Sequence, residues 1–267
     1  MEKFFNIKYE FDKQRVWQVI DSQIAHKKPG YICVADGVVV NNVQRNQDYR
    51  RAVNNSMFAI CDSGWVPTYL HWIYGIERHQ YCGPMIFKDL VARGKHRMFF
   101  MGTNQKTLDG LKKEMTKLNP EVANMTFYEL PFKSVEEFDY EAIAKMVEED
   151  GADLIWVALG APKQDFFMER LAPHLKKGVM LGVGAAFNFY SGLGEKRAPQ
   201  WVVKSKIEFL YRILQSPKKQ IKRCFWILAT MPSMFLGEMQ RKRAMLALEN
   251  PKYLPEHDLQ YASKRNM

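Results

Sequence analysis

Three features of this 267-residue sequence predict an α/β fold, with a Rossmann-like, mostly parallel sheet covered by helices on both faces. Short apolar runs alternate with helical patterns in a βαβα rhythm joined by short loops. Two of these runs, Leu154–Leu159 and Val179–Val183, lead directly into glycine-containing loops. The strands read as continuous apolar stretches rather than alternating ones, as expected of strands buried on both faces.

The pattern predicts a helix over Phe11–His26, a strand over Tyr31–Val40, a helix over Gln47–Asn55 and a strand over Met57–Cys61 ending at Asp62. Helices follow at Pro67–Tyr74 and Met85–Arg93. A strand at Arg97–Met101 ends in Gly102-Thr103-Asn104, and a helix covers Lys106–Leu118. Met125–Leu130 reads as a strand and Tyr140–Glu149 as a helix, before the two strands named above. From Gln200 the pattern turns helical and basic, with a helix at Val202–Leu214, a break at Pro217 and another at Pro232. The expected organisation is a catalytic α/β domain over residues 1–199 and a basic helical appendage over 200–267.

Charge follows the same division. From residue 196 onward there are 15 Lys and Arg against 5 Asp and Glu, leaving 24 of each sign in the rest of the chain, so the net charge of +10 belongs to the last quarter. A neutral body with a basic tail implies an anionic partner surface, lipid headgroup or nucleic acid. Cys33, Cys61, Cys82 and Cys224 are scattered without a CxxC pair, which fits a reducing cytoplasm. The charged start MEKFFNIKYEFDKQ does not resemble a secretory signal. No apolar run reaches the ~18 residues of a spanning helix.

Ligands of doubly wound sheets bind beyond the carboxyl ends of the strands. That places candidate chemistry at Asp62, as a general base or a turn former, and at Asp36, where Asp-Gly also signals a turn. Asn41 and Asn42 read as strand-end amides able to contact a sugar. The loop GAPKQD brings Gly160, Lys163 and Gln164 to a helix start that favours phosphate. Gly182-Val183-Gly184 is an incomplete dinucleotide fingerprint, but its glycines still permit close approach of a ligand. Arg197, Arg212 and Arg223 could neutralise a diphosphate. HExxH, Walker A, Cys–His zinc spacing and Asp-x-Asp pairs are missing from the sequence, so neither metal nor cofactor is expected.

The segments GAPKQDFFM, GVGAAFNFYSG, KRAPQW and IEFLYRILQSPKK occur in that order, behind CDSGWVP and YCGPMIF. Together they resemble the WecG/TagA/CpsF glycosyltransferases, family 26, over about residues 30–225. The resemblance implies inverting, metal-independent transfer of N-acetylmannosamine, its uronic acid or a related sugar. The donor would be a UDP-sugar and the acceptor an undecaprenyl-diphosphate-linked sugar at the cytoplasmic membrane face. The products would serve teichoic acid linkage units, common antigen or other surface polysaccharides. By position, Asp62 matches the family's proposed base, Asn42 its strand-end asparagine and Gln164 the glutamine of its Pro-Lys-Gln motif. Arg212 and Arg223 match arginines of the appendage and are expected to act in catalysis. Gly83, Gly102, Thr103, Gly160, Lys163, Gly184 and Arg197 are expected to contact substrate. Val40, Gln80, Asp165 and Asn188 depart from the family pattern, which bears on the identity of the sugars.

The uncharged run Cys224–Gly237 lies between Lys218, Lys219, Lys222 and Arg223 on one side and Arg241, Lys242 and Arg243 on the other. This suits a segment lying in the interface of an anionic membrane. Its alternative occupants are the core and a homo-oligomer interface. Two other functions stand beside the transferase reading. One is a nucleic-acid-binding protein using the basic tail, which lacks a recognition motif. The other is a nicotinamide-dependent oxidoreductase, for which the glycine fingerprint is incomplete.

Overall fold

The computed structural model describes residues 1–193 and 217–249, with side chains placed over 225–246 of the second stretch. Its frame is an 8-stranded sheet in the order β1-β2-β4-β3-β8-β7-β5-β6. The strands are β1 Glu2–Phe4, β2 Ile7–Glu10, β3 Gly30–Ala35, β4 Phe58–Cys61, β5 Met98–Gly102, β6 Thr126–Tyr128, β7 Leu154–Ala158 and β8 Val179–Gly182. Every pairing is parallel except β1 with β2. The expected α/β class is therefore present.

The helices are α1 Lys13–Ala25, α2 Gly37–Arg45, α3 Gln47–Asn55, α4 Trp65–Tyr74, α5 Gly83–Arg93, α6 Gln105–Leu118, α7 Tyr140–Asp150, α8 Lys163–Leu171 and α9 Ala186–Tyr190. A long helix, α10, spans Pro217–Glu249. Alternation along β7 shows how the layers form. Ile155 and Val157 face the side covered by α2, α3, α4, α7 and α8. Leu154, Trp156 and Ala158 face the side covered by α1, α5, α6 and α9. The chain leaves β3 for α2 on one face and β8 for α9 on the other, although β3 and β8 are neighbours. This divergence opens a crevice at their carboxyl ends, the switch point where such sheets bind ligands.

Two sequence readings need correction. The strand expected over Tyr31–Val40 stops at Ala35, and Val38–Val40 belong to α2. The side chain of Asp36 accepts hydrogen bonds from the Val38 and Val39 N–H groups at 2.8 and 2.9 Å. That N-cap outweighs the strand preference of the valine run. Asn41 and Asn42 are consequently helical residues, and the strand-end position belongs to Asp36. The second correction concerns Pro232, which does not end a helix: α10 runs through it. Pro232 is exposed, so the carbonyl it leaves without an N–H partner can turn to water.

The N-terminal residues, to which the sequence reading assigned no element, add two strands to the sheet. They form the β1–β2 hairpin through Phe5 and Asn6, at φ 50° and 61°. Ile7 and Tyr9 alternate inward on its second strand. The helix expected at Val202–Leu214 lies outside the described residues.

Helix α10 packs on α2 and α4 rather than standing apart. Met234 is buried in the core, and Met231, Phe235 and Met239 pack beside it. Buried Glu238 accepts from the Phe5 N–H at 2.9 Å and from the Tyr74 hydroxyl at 2.8 Å. Its charge thereby gains two donors in a place where an unpaired carboxylate would be costly. The Asn41 amide donates to the Trp226 carbonyl at 3.1 Å and to the Thr230 hydroxyl. The apolar run of α10 is thus divided. One side packs on the body, while Phe225, Leu228 and Leu236 are more than half exposed.

Candidate active site

A cleft of about 690 Å³ occupies the crevice at the strand ends. On the sheet side it is lined by Asp36 after β3, Asp62 after β4, Thr103 after β5, Gly160 and Ala161 after β7, and Val183 and Gly184 after β8. Val38, Asn41, Asn42 and Arg45 follow one another on α2 at helical spacing, and all four line the cleft. Helix α9 contributes Asn188 and Phe189, and α10 closes one side with Trp226 and Ile227. The contact between α2 and α10 is close at Gly37, where a Cβ would lie 2.9 Å from Ile227 Cδ1.

Asp62 is held where the sequence puts it. The Ala35–Cys61 register sets Asp36 and Asp62 side by side on adjacent strands, and the Asp62 N–H donates to the Ala35 carbonyl at 3.1 Å. Oδ1 of Asp62 accepts from the Gly83 N–H, the first residue of α5, at 2.9 Å. Gly83 is suited to this approach, since a Cβ there would lie 3.3 Å from Val34 Cγ1 and 3.6 Å from the Val183 carbonyl. The Gln80 amide donates to the Asp62 backbone carbonyl. Arg78, two residues before Gln80, pairs with Glu2 at 2.5 Å. The result is a half-buried carboxylate, oriented by a backbone donor and facing a cleft. Such a group can take a proton from a hydroxyl placed beside it.

Gln164 is buried and works as a tie. Its Oε1 accepts from the Gly160 N–H at 3.1 Å, and its Nε2 donates to the Gly182 carbonyl at 3.0 Å. It therefore clamps the turn after β7 to the end of β8 while still lining the cleft. Gly160 and Gly184 have φ of 77° and 49°, a backbone region that suits glycine. Gly102 is a packing residue: at φ 114°, a Cβ there would stand 2.6 Å from the Ala158 carbonyl oxygen. Thr103, next along, is the one that lines the cleft.

Lys163 does not join the site. Its ammonium donates to the Lys133 carbonyl and lies over the rings of Phe132 and Phe138. The first turn of α8 is also occupied, with the Gln164 N–H donating to the Gly160 carbonyl and the Asp165 N–H to the Pro162 carbonyl. Arg197 and Arg212 lie outside the described residues. Arg223 is on α10, with its side chain outside them.

The sequence reading missed Arg45, Trp226 and Ile227. Once α2 starts at Gly37, Arg45 is one turn beyond Asn41 on the same face, a spacing that the assumed strand concealed. Behind the cleft, Asp165 is fully buried and accepts from the Tyr49 hydroxyl at 2.5 Å. Burial raises its carboxyl to about 7, opposed by hydrogen bonds from Tyr49 and Cys33.

Fold and site together define a doubly wound α/β protein with an anchored carboxylate in a switch-point cleft. A profile of the Glycosyl transferase WecG/TagA/CpsF family matches residues 3–245. The chain belongs to that family and is a glycosyltransferase, which sets aside the nucleic-acid and oxidoreductase readings. It is 25% identical over 209 residues to an N-acetylglucosaminyldiphosphoundecaprenol N-acetyl-beta-D-mannosaminyltransferase of Bacillus subtilis, covering 74% of this chain and 79% of the relative. The protein of the same name from Bacillus spizizenii is 24% identical over 199 residues, covering 72% and 74%. That from Staphylococcus aureus strain MW2 is 22% identical over 192 residues, covering 71% and 73%. No helix among the described residues is long and apolar enough to cross a membrane.

Proposed function

We propose that this glycosyltransferase moves N-acetylmannosamine, or a closely related sugar, from a UDP donor to N-acetylglucosamine carried on undecaprenyl diphosphate. The product would enter synthesis of a teichoic acid or another surface polysaccharide. The observation that carries the proposal is Asp62, a carboxylate anchored by the Gly83 N–H inside the switch-point cleft of a family member. The activity for which the relatives are named supports the sugar and the acceptor.

In this reading Asp62 takes the proton of the acceptor hydroxyl as that oxygen attacks the anomeric carbon. Attack opposite the departing UDP inverts the anomeric centre. With no Asp-x-Asp pair in the sequence, the transfer is proposed to need no metal. The lipid acceptor and the exposed apolar residues of α10 support work at the inner face of the cell membrane. The basic segment from residue 200 onward is proposed to serve as the membrane-facing appendage of the catalytic body.

The test is transfer from UDP-N-acetylmannosamine to a short-chain polyprenyl-diphosphate-linked N-acetylglucosamine, with and without excess EDTA. Product at equal rates in both is expected. Activity lost on chelation and restored by Mg²⁺ would overturn metal independence. An absence of product with every UDP-sugar tried would overturn the donor.

A further inference from the structure

The cleft described above has an uneven charge distribution. Among the described residues that line it, the carboxylates Asp36 and Asp62 stand at the strand ends and Arg45 is the one cation. The 9 residues of α2, at ~1.5 Å each, set Arg45 roughly 13 Å beyond Asp36 along the helix. Among the described lining residues, Arg45 is the cationic partner a diphosphate would find.

We propose that Arg45, held against the ring of Trp226, binds the diphosphate of the lipid-linked acceptor at the C-terminal end of α2. This rests on the transfer reaction proposed above. The Arg45 guanidinium carbon lies 4.6 Å from the Trp226 ring centroid. A cation–π contact of this kind holds the guanidinium beside the ring, and its N–H groups can still fork two oxygens. The Arg45 side chain makes no hydrogen bond or ion pair with the side chains or backbone of the other described residues, so its donors are not spent within that part of the fold. The backbone at Trp226 is anchored beside Arg45, since its carbonyl accepts from the Asn41 amide one turn before Arg45.

The neighbourhood has the polarity of such an acceptor. Asp62, Arg45 and Trp226 line one cleft, and Phe225 and Leu228, next to Trp226 on α10, are exposed. A sugar hydroxyl, a diphosphate and a lipid chain supply partners for the carboxylate, the cation and the exposed apolar residues. The nucleotide donor also carries a diphosphate but has no apolar tail to match that exposed strip.

The experiment measures binding to the full chain by calorimetry, without transfer. The probes are a short-chain polyprenyl-diphosphate-linked N-acetylglucosamine, its monophosphate analogue and UDP. Arg45→Gln should weaken the diphosphate lipid by about tenfold or more, the scale of a charge-assisted hydrogen bond. It should weaken the monophosphate analogue less, leave UDP nearly unchanged and leave the melting temperature unaltered, because Arg45 is exposed. Arg45→Lys should recover part of the loss. Trp226→Leu should reproduce part of it and be non-additive with Arg45→Gln, as expected of a residue acting through its neighbour. Unchanged lipid affinity in Arg45→Gln, or equal losses for the two lipid probes, would overturn the proposal. A loss confined to UDP would assign Arg45 to the donor and overturn it as well. A wild-type chain that binds neither lipid probe would instead strike the proposed acceptor and, with it, this inference.

Discussion

The two walls of the cleft are built on different principles. The sheet wall is made of strand ends and tight turns, and its groups are fixed by backbone contacts: Asp62 by the Gly83 N–H, and the β7 turn by Gln164. The α10 wall is a single helix laid across α2 and α4 and pinned by a few side chains, chiefly Asn41 and Glu238. A wall of the first kind suits chemistry that demands fixed geometry. A wall of the second kind is expected to loosen before the sheet does, because it holds to the body by one face of a single helix.

The sharpest way to break the comparison is to remove the chemistry from the sheet wall. Asp62→Asn keeps the shape and the bond to the Gly83 N–H but deletes the base. Turnover should fall by roughly 10²-fold or more, while UDP binding and the melting temperature stay near wild type. A variant with near-normal turnover would remove Asp62 from the mechanism and leave the sheet wall as scaffold only.

The next largest effect should come from the clamp. Read from sequence, Gln164→Ala should affect the substrate and leave the melting temperature nearly unchanged. The structure alters that expectation, since truncation frees the buried Gly182 carbonyl and the Gly160 N–H. Each buried group left without a partner costs about 1–3 kcal/mol. Thermal denaturation should show a clear fall together with weaker catalysis. Unchanged melting would mean that solvent or a rearranged loop satisfies both groups.

On the opposite wall, Glu238→Ala should release α10 without unfolding the sheet. The Phe5 N–H and the Tyr74 hydroxyl would lose their acceptor, at about 1–3 kcal/mol for buried donors. Hydrogen exchange should quicken across α10 and the β1–β2 turn, leaving β3, β7 and β8 protected. Activity should drop by less than in Asp62→Asn. Uniform acceleration over all strands would show that the two walls are one cooperative unit and erase the distinction.

The same contrast explains what could be read from the sequence. The sheet wall was legible because strands buried on both faces appear as apolar runs, and their ends are marked by glycine and by Asp62. The expected boundaries of β4, β7 and β8 fall within about a residue or two of the observed ones. The α10 wall was not legible, because its partners are distant in sequence. Asn41 meets Trp226 and Phe5 meets Glu238 across 185 and 233 positions. No local pattern announces such pairs. The valine run after Asp36 misled for another reason: β preference is weak beside a capped helix start that aims its next turns at the sheet. That one misreading hid Arg45, whose place depends on α2 being a helix.

The smallest expected effect would sharpen the comparison from behind the sheet wall. Asp165 follows Gln164 in α8 and is fully buried, with its carboxyl raised to about 7 from the ordinary 3.8, chiefly by burial. The folded state therefore holds this proton over a range where the unfolded chain has released it. Its contribution to stability is fully present below about pH 4, declines as pH rises towards 7 and changes no further above that. Asp165→Asn should remove this component, so the melting temperature of the variant should fall less than that of wild type between those limits. Tyr49→Phe deletes the 2.5 Å hydrogen bond that favours the charged form. It should carry the decline to higher pH. Parallel pH profiles for all three proteins would show that Asp165 does not titrate in this window. A steeper fall in Asp165→Asn than in wild type would reverse the sign of the argument and place the pH sensitivity of the fold elsewhere.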